Sequence, residues 1–375
     1  MKFTLITLLF SLFCGASVCA QTPTDQDEDV IRVETDLTNL FFTATNKQKA
    51  FVITLREEDV RLTEDGVPQK ILTFQRETDR PLSIAFLIDV SASEERTLPQ
   101  EKAAARAFIE SVVQSSKDQA AIIPFTGSAF LEQGLTRDIF SIYRALERVD
   151  VAMPAYLGSG RPISGIASGP GMKAVPPEGS TAIWDAIALT ASEVLARNSD
   201  QKPAGQDGQG RGQRTAQGDY GQTTLSTSAP RGVLVPNQRR RAIILLTDGQ
   251  DTTSRLPRSE AINRALEAET VIYAIGIGDS KYEGVNRDAL NAVAAGTGGR
   301  AFFPKRETDL RNAFAEIEQE LRSQYLIAYS STNKNRDGSY RQMHIDITNR
   351  ELQKEQLKLR HRPGYFAKPL QNRER

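Results

Sequence analysis

The residues best suited to chemistry in this sequence are Asp89, Ser91 and Ser93. They follow an apolar run over 83–88, which has the composition of a strand buried on both faces. In open parallel sheets, sites form outside the carboxyl ends of the strands. One carboxylate and two hydroxyls would converge there in a tight turn, and all are hard oxygen donors. That set suits Mg2+, Mn2+ or Ca2+ and does not suit zinc or copper.

A sheet is needed to position such a turn, and the pattern after residue 81 supplies one. Apolar strands are expected over 119–125, 241–246, 270–278 and 301–303. Helices are expected over 98–114, 140–149, 181–197, 258–269, 287–296 and 309–323. In the first of these, Ala104, Phe108, Ile109, Val112 and Val113 share a face. Strands alternating with helices imply an α/β fold, a doubly wound, mostly parallel sheet with helices on both faces. Before it, strands are expected over 31–45, 60–63 and 70–74, with a hairpin-type turn at Glu64-Asp65-Gly66. After residue 324 the period returns to two: 325–329 is a strand, and Met343, Ile345 and Ile347 alternate with polar residues, as do Leu357 and Leu359. Neither flank is large enough to bury a core alone.

The spacing Asp89-x-Ser91-x-Ser93 resembles the first loop of the metal-ion-dependent adhesion site in von Willebrand factor type A domains. Gly179-Ser180-Thr181 before an apolar helix resembles the second loop, and a buried strand ending in Thr247-Asp248-Gly249 resembles the third. The resemblance implies a divalent cation, Mg2+ or else Mn2+ or Ca2+, at Asp89, Ser91, Ser93, Thr181 and Asp248. The hydroxyls would bind directly or through water, the aspartates would supply negative charge, and a partner's Asp or Glu would fill the open position. The flanks resemble those of a bacterial group of von Willebrand A-related secreted proteins. That likeness spans 33–366 and includes the Glu64-Asp65-Gly66 turn and Arg362-Pro363-Gly364-Tyr365-Phe366. It implies one β-sandwich built from both flanks, with the α/β domain inserted between them.

The expected organisation is a signal peptide over 1–20, an N-terminal β flank over 21–80, the von Willebrand A-like domain over 81–323 and a C-terminal β flank over 324–375. Insertions rich in Gly, Pro, Ser and Gln interrupt the central domain at 152–178 and 199–238. The first should lie at the rim of the metal site and the second at the opposite end of the sheet. The leader has a charged Lys2, a short apolar core and small residues before a cut after Ala20, which points to a secreted or periplasmic protein. Val18 and Ala16 before Cys19 argue against a lipoprotein cut. Both cysteines, Cys14 and Cys19, fall in the leader, so the mature chain would have no disulfide or thiolate.

Composition excludes several classes. Basic and acidic residues balance at 47 each among 375, which gives no argument for nucleic acid. No mature stretch is long and apolar enough to span a bilayer. Two scattered histidines, His344 and His361, make neither a zinc site nor a Ser-His-Asp triad. Gly296-Thr297-Gly298-Gly299 follows a helix and precedes a strand, the reverse of a phosphate loop, and reads as a helix stop. Arg239-Arg240-Arg241 reads as a solvated guard before an apolar strand. The expectation is an exported, cation-dependent protein-binding module and not an enzyme. Loops over 94–100, 152–180 and 250–257 would set its specificity. A structural envelope protein with a stabilising ion is the alternative, and a metal-assisted hydrolase is the third reading.

Overall fold

The computed structural model describes residues 37–77, 80–151, 161–162, 180–196, 239–278 and 284–367. All lie in one packed unit, Asp36–Arg375. The expected leader lies outside these residues, as do both insertions apart from the backbone of Arg161–Pro162.

The chain opens with β1 (Thr38–Thr45), β2 (Val60–Glu64), β3 (Val67–Pro68) and β4 (Ile71–Glu77). Next come β5 (Leu82–Asp89), α1 (Leu98–Val112), β6 (Gln119–Phe125), β7 (Phe130–Leu131), β8 (Gln133–Thr136) and α2 (Ile139–Arg148). They are followed by β9 (Arg161–Pro162) and α3 (Ile183–Leu189), which runs on as a π turn over Thr190–Ala196. Then come β10 (Arg240–Thr247), α4 (Arg258–Glu267), β11 (Thr270–Gly276), α5 (Arg287–Gly296), β12 (Ala301–Phe302) and α6 (Glu307–Arg322). The last elements are β13 (Gln324–Tyr329), β14 (Tyr340–Ile347), α7 (Arg350–Lys354), β15 (Lys358–His361) and β16 (Gly364–Phe366).

Six strands form the central sheet in the order β12-β11-β10-β5-β6-β8. All neighbours are parallel except β6 and β8. The middle strand β5 is buried along its whole length, and its alternation feeds two cores. Ile84, Phe86 and Ile88 pack with Phe108 of α1, Leu146 of α2 and Phe314 of α6. Ala85 and Leu87 pack with Ile187 of α3, Ala265 of α4 and Leu290 of α5. Helices on both faces leave no polar side to this sheet, which is why its strands read as continuous apolar runs.

The flanks combine into two four-stranded sheets, β15-β1-β13-β4 and β16-β14-β2-β3. Each mixes strands from before and after the central domain. They share one core in which Phe42 stacks on Tyr325 at 5.0 Å, with Leu62, Ile327, Met343 and Ile345 around them. A buried charge pair also lies in the sandwich. Glu64 accepts from the hydroxyls of Tyr329 (2.6 Å) and Tyr365 (2.9 Å), and Arg341 pairs with it at 3.4 Å.

Several expectations change. The Glu64-Asp65-Gly66 turn does form, with Asp65 and Gly66 at positive φ. Its second arm is only β3, however, and β4 crosses to pair with β13 in the other sheet. Pro68 has no N–H to extend the ladder. The arginines that open β10 are not a solvated guard. Arg240 is 5% exposed, donates to Gln324 Oε1 at 2.6 Å and lies 6.0 Å from the Phe41 ring. Arg239 and Arg241 donate to the carbonyls of Leu82 and Ala268. They lie where the sandwich meets the base of the sheet, a contact invisible in local sequence. The short helix α7 falls between two expected strands, started by Asn349 accepting from Glu351 N.

Replacing Glu64 with Ala should cost about 3–5 kcal/mol, because it leaves the Arg341 guanidinium buried without its counter-charge. Urea unfolding checks this, and a loss below about 1 kcal/mol would mean that the hydroxyls and carbonyls around Arg341 suffice alone.

Candidate metal centre

β5 and β10 are parallel neighbours in register, Ile88 opposite Leu246, so their carboxyl ends lie side by side. That register puts Asp89 beside Thr247, whose hydroxyl donates to Asp89 Oδ2 at 2.6 Å. Ser91 N donates to Asp89 Oδ1 at 3.0 Å, folding the chain back so that the Ser91 and Ser93 hydroxyls stand 3.0 Å apart. On the neighbouring strand Asp248 Oδ1 accepts from Gln250 N at 2.8 Å. Gly249 makes the turn at φ 83°, and a Cβ there would come within 3.1 Å of the Asn286 carbonyl. Only glycine meets both demands.

The second loop is fastened to the third. Thr252 and Thr253 donate their N–H groups to the Thr181 carbonyl, at 2.9 and 3.1 Å, and Thr181 N donates to Thr252 Oγ1 at 2.8 Å. Asp251 Oδ1 accepts from Ile183 N at 2.8 Å, Ser254 Oγ from Trp184 N at 3.0 Å, and Asp185 Oδ1 from Leu256 N at 2.9 Å. The amides that open α3 are thus satisfied by a loop some seventy residues away, a non-local version of N-capping. Much of 250–257, expected as a specificity rim, is consumed in this role. Thr181 is buried within this junction.

The structure adds a residue that the sequence reading placed in the rim. Glu94 closes a 3-10 turn after Ser93. One carboxylate oxygen from each of Asp89, Glu94 and Asp248 lies within 4.8 Å of the other two. Glu94 has no exposed surface; Thr97 Oγ1 donates to its Oε2 at 2.5 Å, and its Oε1 has no hydrogen-bond partner. Behind it, Glu101 of α1 is 1% exposed, its carboxyl set against the Thr97 hydroxyl and the Glu94 carboxyl with no basic side chain among the described residues beside it. A signal for Glu101 was present: it lies three residues after Leu98 and seven before Phe108, on the buried face of α1. A charge on an apolar stripe is seldom placed there without a partner.

Burial dominates the acid–base behaviour. It raises Asp89 to about 6, against the opposing hydrogen bonds from Thr247 and Ser91 and with a smaller push from Asp248. Burial also raises Glu94 and Glu101, and the charge of Glu101 raises Glu94 further. Carboxylates, hydroxyls and an orphaned buried oxygen make a donor set that fits a hard divalent cation. Asp89, Ser91, Ser93, Glu94 and Asp248 are brought together here, and Thr181 is tied in through its backbone. The two histidines lie in the sandwich, on β14 and β15.

A doubly wound sheet with Asp-x-Ser-x-Ser at the end of its middle strand and Thr-Asp-Gly on the next makes the central domain von Willebrand A-like. No family profile matches the sequence, and no curated protein does. Among solved structures, the chain is similar to proximal thread matrix protein 1 from the mussel byssus, at 16% identity over 69% of this chain and 51% of that one, TM-score 0.44. The chain therefore spans about half the length of that protein. Another form of the mussel protein, at 17% identity over 70% of this chain and 50% of that one, TM-score 0.43, is described with a zinc-occupied MIDAS motif. A von Willebrand factor type A protein from Catenulispora acidiphila is similar at 12% identity over 88% of this chain and 72% of that one, TM-score 0.43. Among the described residues no helix is long and apolar enough to cross a membrane.

The raised Asp89 carries a pH signature. Its folded value of about 6 exceeds the ordinary 3.8, so the metal-free folded protein holds this proton more tightly than the unfolded chain does. The stabilising contribution is complete below about pH 4 and is lost as pH rises through about 6, on the order of 3 kcal/mol in all. In chelator, the melting temperature of the wild type should therefore fall relative to Asp89→Asn between about pH 4 and pH 7 and run parallel to it above that. A constant gap between the two proteins would show that Asp89 is not perturbed.

Proposed function

We propose that this chain is an exported, divalent-cation-dependent protein-binding module whose site receives an acidic side chain from a protein partner. The observation that carries the reading is the meeting of Asp89, Glu94 and Asp248 carboxylates beside the Ser91 and Ser93 hydroxyls. Asp89, Ser91, Ser93, Thr181 and Asp248 would hold Mg2+, Mn2+ or Ca2+. When bound, the cation supplies a fixed positive charge with exchangeable water, which an Asp or Glu can replace. Thr247 and Ser91 N orient Asp89, Gln250 N orients Asp248, and the Asp251–Ser254 brace holds the second loop against the third. These contacts preorganise the donors, so little ordering cost falls on binding. Export rests on the leader-like composition of 1–20. The reading is of a binding module and not a catalyst, supported by the three carboxylates facing one another and by histidines that lie in the sandwich.

A second reading is favoured by one observation. Asp89, Glu94 and Asp248 are all buried, as ligands of a purely structural ion would be. The two readings part in the laboratory. Isothermal titration of chelator-stripped protein with Mg2+, Mn2+ and Ca2+ should show saturable binding that Asp89→Ala abolishes. Capture of a partner should then require the cation and fail with Asp89→Ala. Binding of the ion that raises the melting temperature while capture proceeds equally in chelator would leave the structural role alone.

A further inference from the structure

We propose that Glu94 is itself a ligand of the cation, a third carboxylate supplied by the chain that competes with the partner's acid. This rests on the cation site proposed above and deepens it. The argument starts from what a buried carboxylate needs. Each oxygen must meet a donor, a proton with an acceptor, or a cation, because an unpaired buried charge costs several kcal/mol or more.

The chain satisfies this need elsewhere. Asp118, also fully buried, accepts from Leu82 N at 2.8 Å, Gln114 N at 3.0 Å and Arg322 Nη2 at 2.8 Å. Glu64 is met by two tyrosines and an arginine. Glu94 is treated differently. Its backbone is pinned, with Glu94 N donating to the Ser91 carbonyl and Thr97 N to the Glu94 carbonyl, each at 3.0 Å. Its Oε2 takes the single Thr97 hydroxyl proton. The remaining Oε1 meets no hydrogen-bond donor, and one oxygen of this carboxylate lies within 4.8 Å of carboxylate oxygens of both Asp89 and Asp248. Glu101 lies within hydrogen-bonding reach of Glu94, so a shared proton can relieve that pair, but it leaves Asp89 and Asp248 facing the same carboxyl. A cation among the three carboxylates satisfies the oxygen and removes the mutual repulsion in one step.

The charge count then bears on function. Two aspartates balance a divalent ion, whereas three carboxylates overbalance it. An acidic side chain from a partner would meet an anionic site, and it would have to displace Glu94 and not only water. The resting module is then self-liganded, and its affinity for partners is set by how readily the turn at Ala92–Glu94 lets the glutamate go.

The test uses Mn2+ alone as probe, on the chelator-stripped wild type, Glu94→Gln and Asp89→Ala. Calorimetry reads affinity, and water-proton relaxation reads the exchangeable waters on each bound ion. Glu94→Gln should weaken Mn2+ binding by about tenfold or more and add about one exchangeable water. Glu94→Asp keeps the charge but retracts it by one methylene, and should show the same added water. If Glu94→Gln binds with wild-type affinity and hydration while Asp89→Ala binds nothing, the inference about Glu94 fails and the cation site stands. If Asp89→Ala binds as well as wild type, or wild type binds no Mn2+, the cation site fails and the inference with it. Melting curves in chelator report folding: Glu94→Gln should melt no lower than wild type, since the amide matches the carboxyl in size and shape and adds no charge to the cluster.

Discussion

Everything around the carboxyl edge of the central sheet is arranged to bury four carboxylates close together. Asp89, Glu94, Glu101 and Asp248 come from two strand ends, a 3-10 turn and a helix, and all four are buried. Ionised and unpaired, each would cost several kcal/mol or more, and each raises the cost of the others. The apolar sheet beneath must hold them against that repulsion. It does so with β5, buried along its whole length between two cores, and with a parallel β5–β10 register that sets Asp89 beside the Thr247 hydroxyl. A fold stabilised at its core can carry a destabilised edge, and such edges are where binding sites are found.

The same chain shows that the edge is not poor packing. Asp118 lies at the other end of the sheet, where Leu82 N and Arg322 close around it. Arg240 joins Gln324 at the same end. At this base the buried Asp118 carboxylate is met by three donors and the Arg240 guanidinium by an amide oxygen. At the opposite edge the backbone is equally well tied, through Thr181, Asp251 and Ser254. What goes unmatched there is side-chain oxygen, on Glu94, Glu101 and Thr253. A site with fixed walls and unsatisfied contents is a preorganised one.

Much of this was legible in the sequence for physical reasons. A strand buried on both faces leaves a continuous apolar run, so β5, β6, β10 and β11 could be read almost residue by residue. The Asp89 turn follows one such run directly. Glu94 and Glu101 escaped because their meaning is non-local: a glutamate after a serine, or on the first turns of a helix, is ordinarily a solvated charge or a favourable N-terminal one. Glu101 carried its own signal, sharing a stripe with Leu98 and Phe108. The Arg239–Arg241 run could not announce that the sandwich sits against it, since its partners Gln324 and Phe41 lie far along the chain. The crossing of β4 to β13 was hidden likewise, because a hairpin turn specifies its first two paired residues and nothing beyond.

The topology also limits how the central domain can respond to its site. It enters from β4 and leaves into β13, and those strands pair directly, Glu77 opposite Gln324. Between α6 and β13 stands a single residue, Ser323, whose N–H still donates to Glu320 in the helix. One residue spans at most about 3.6 Å, whereas a helix turn is about 5.4 Å. A one-turn slide of α6 would therefore drag β13 past both β1 and β4, its partners on either side. A strand moved by that much slips one to two residues, and an odd slip turns Tyr325, Ile327 and Tyr329 out of the sandwich core. The cost of exposing those side chains exceeds what one carboxylate exchange at the far edge can return. Whatever the site senses must be expressed near it, in the Ala92–Glu94 turn and the loop that caps α3, which are held by local hydrogen bonds and not by a sheet.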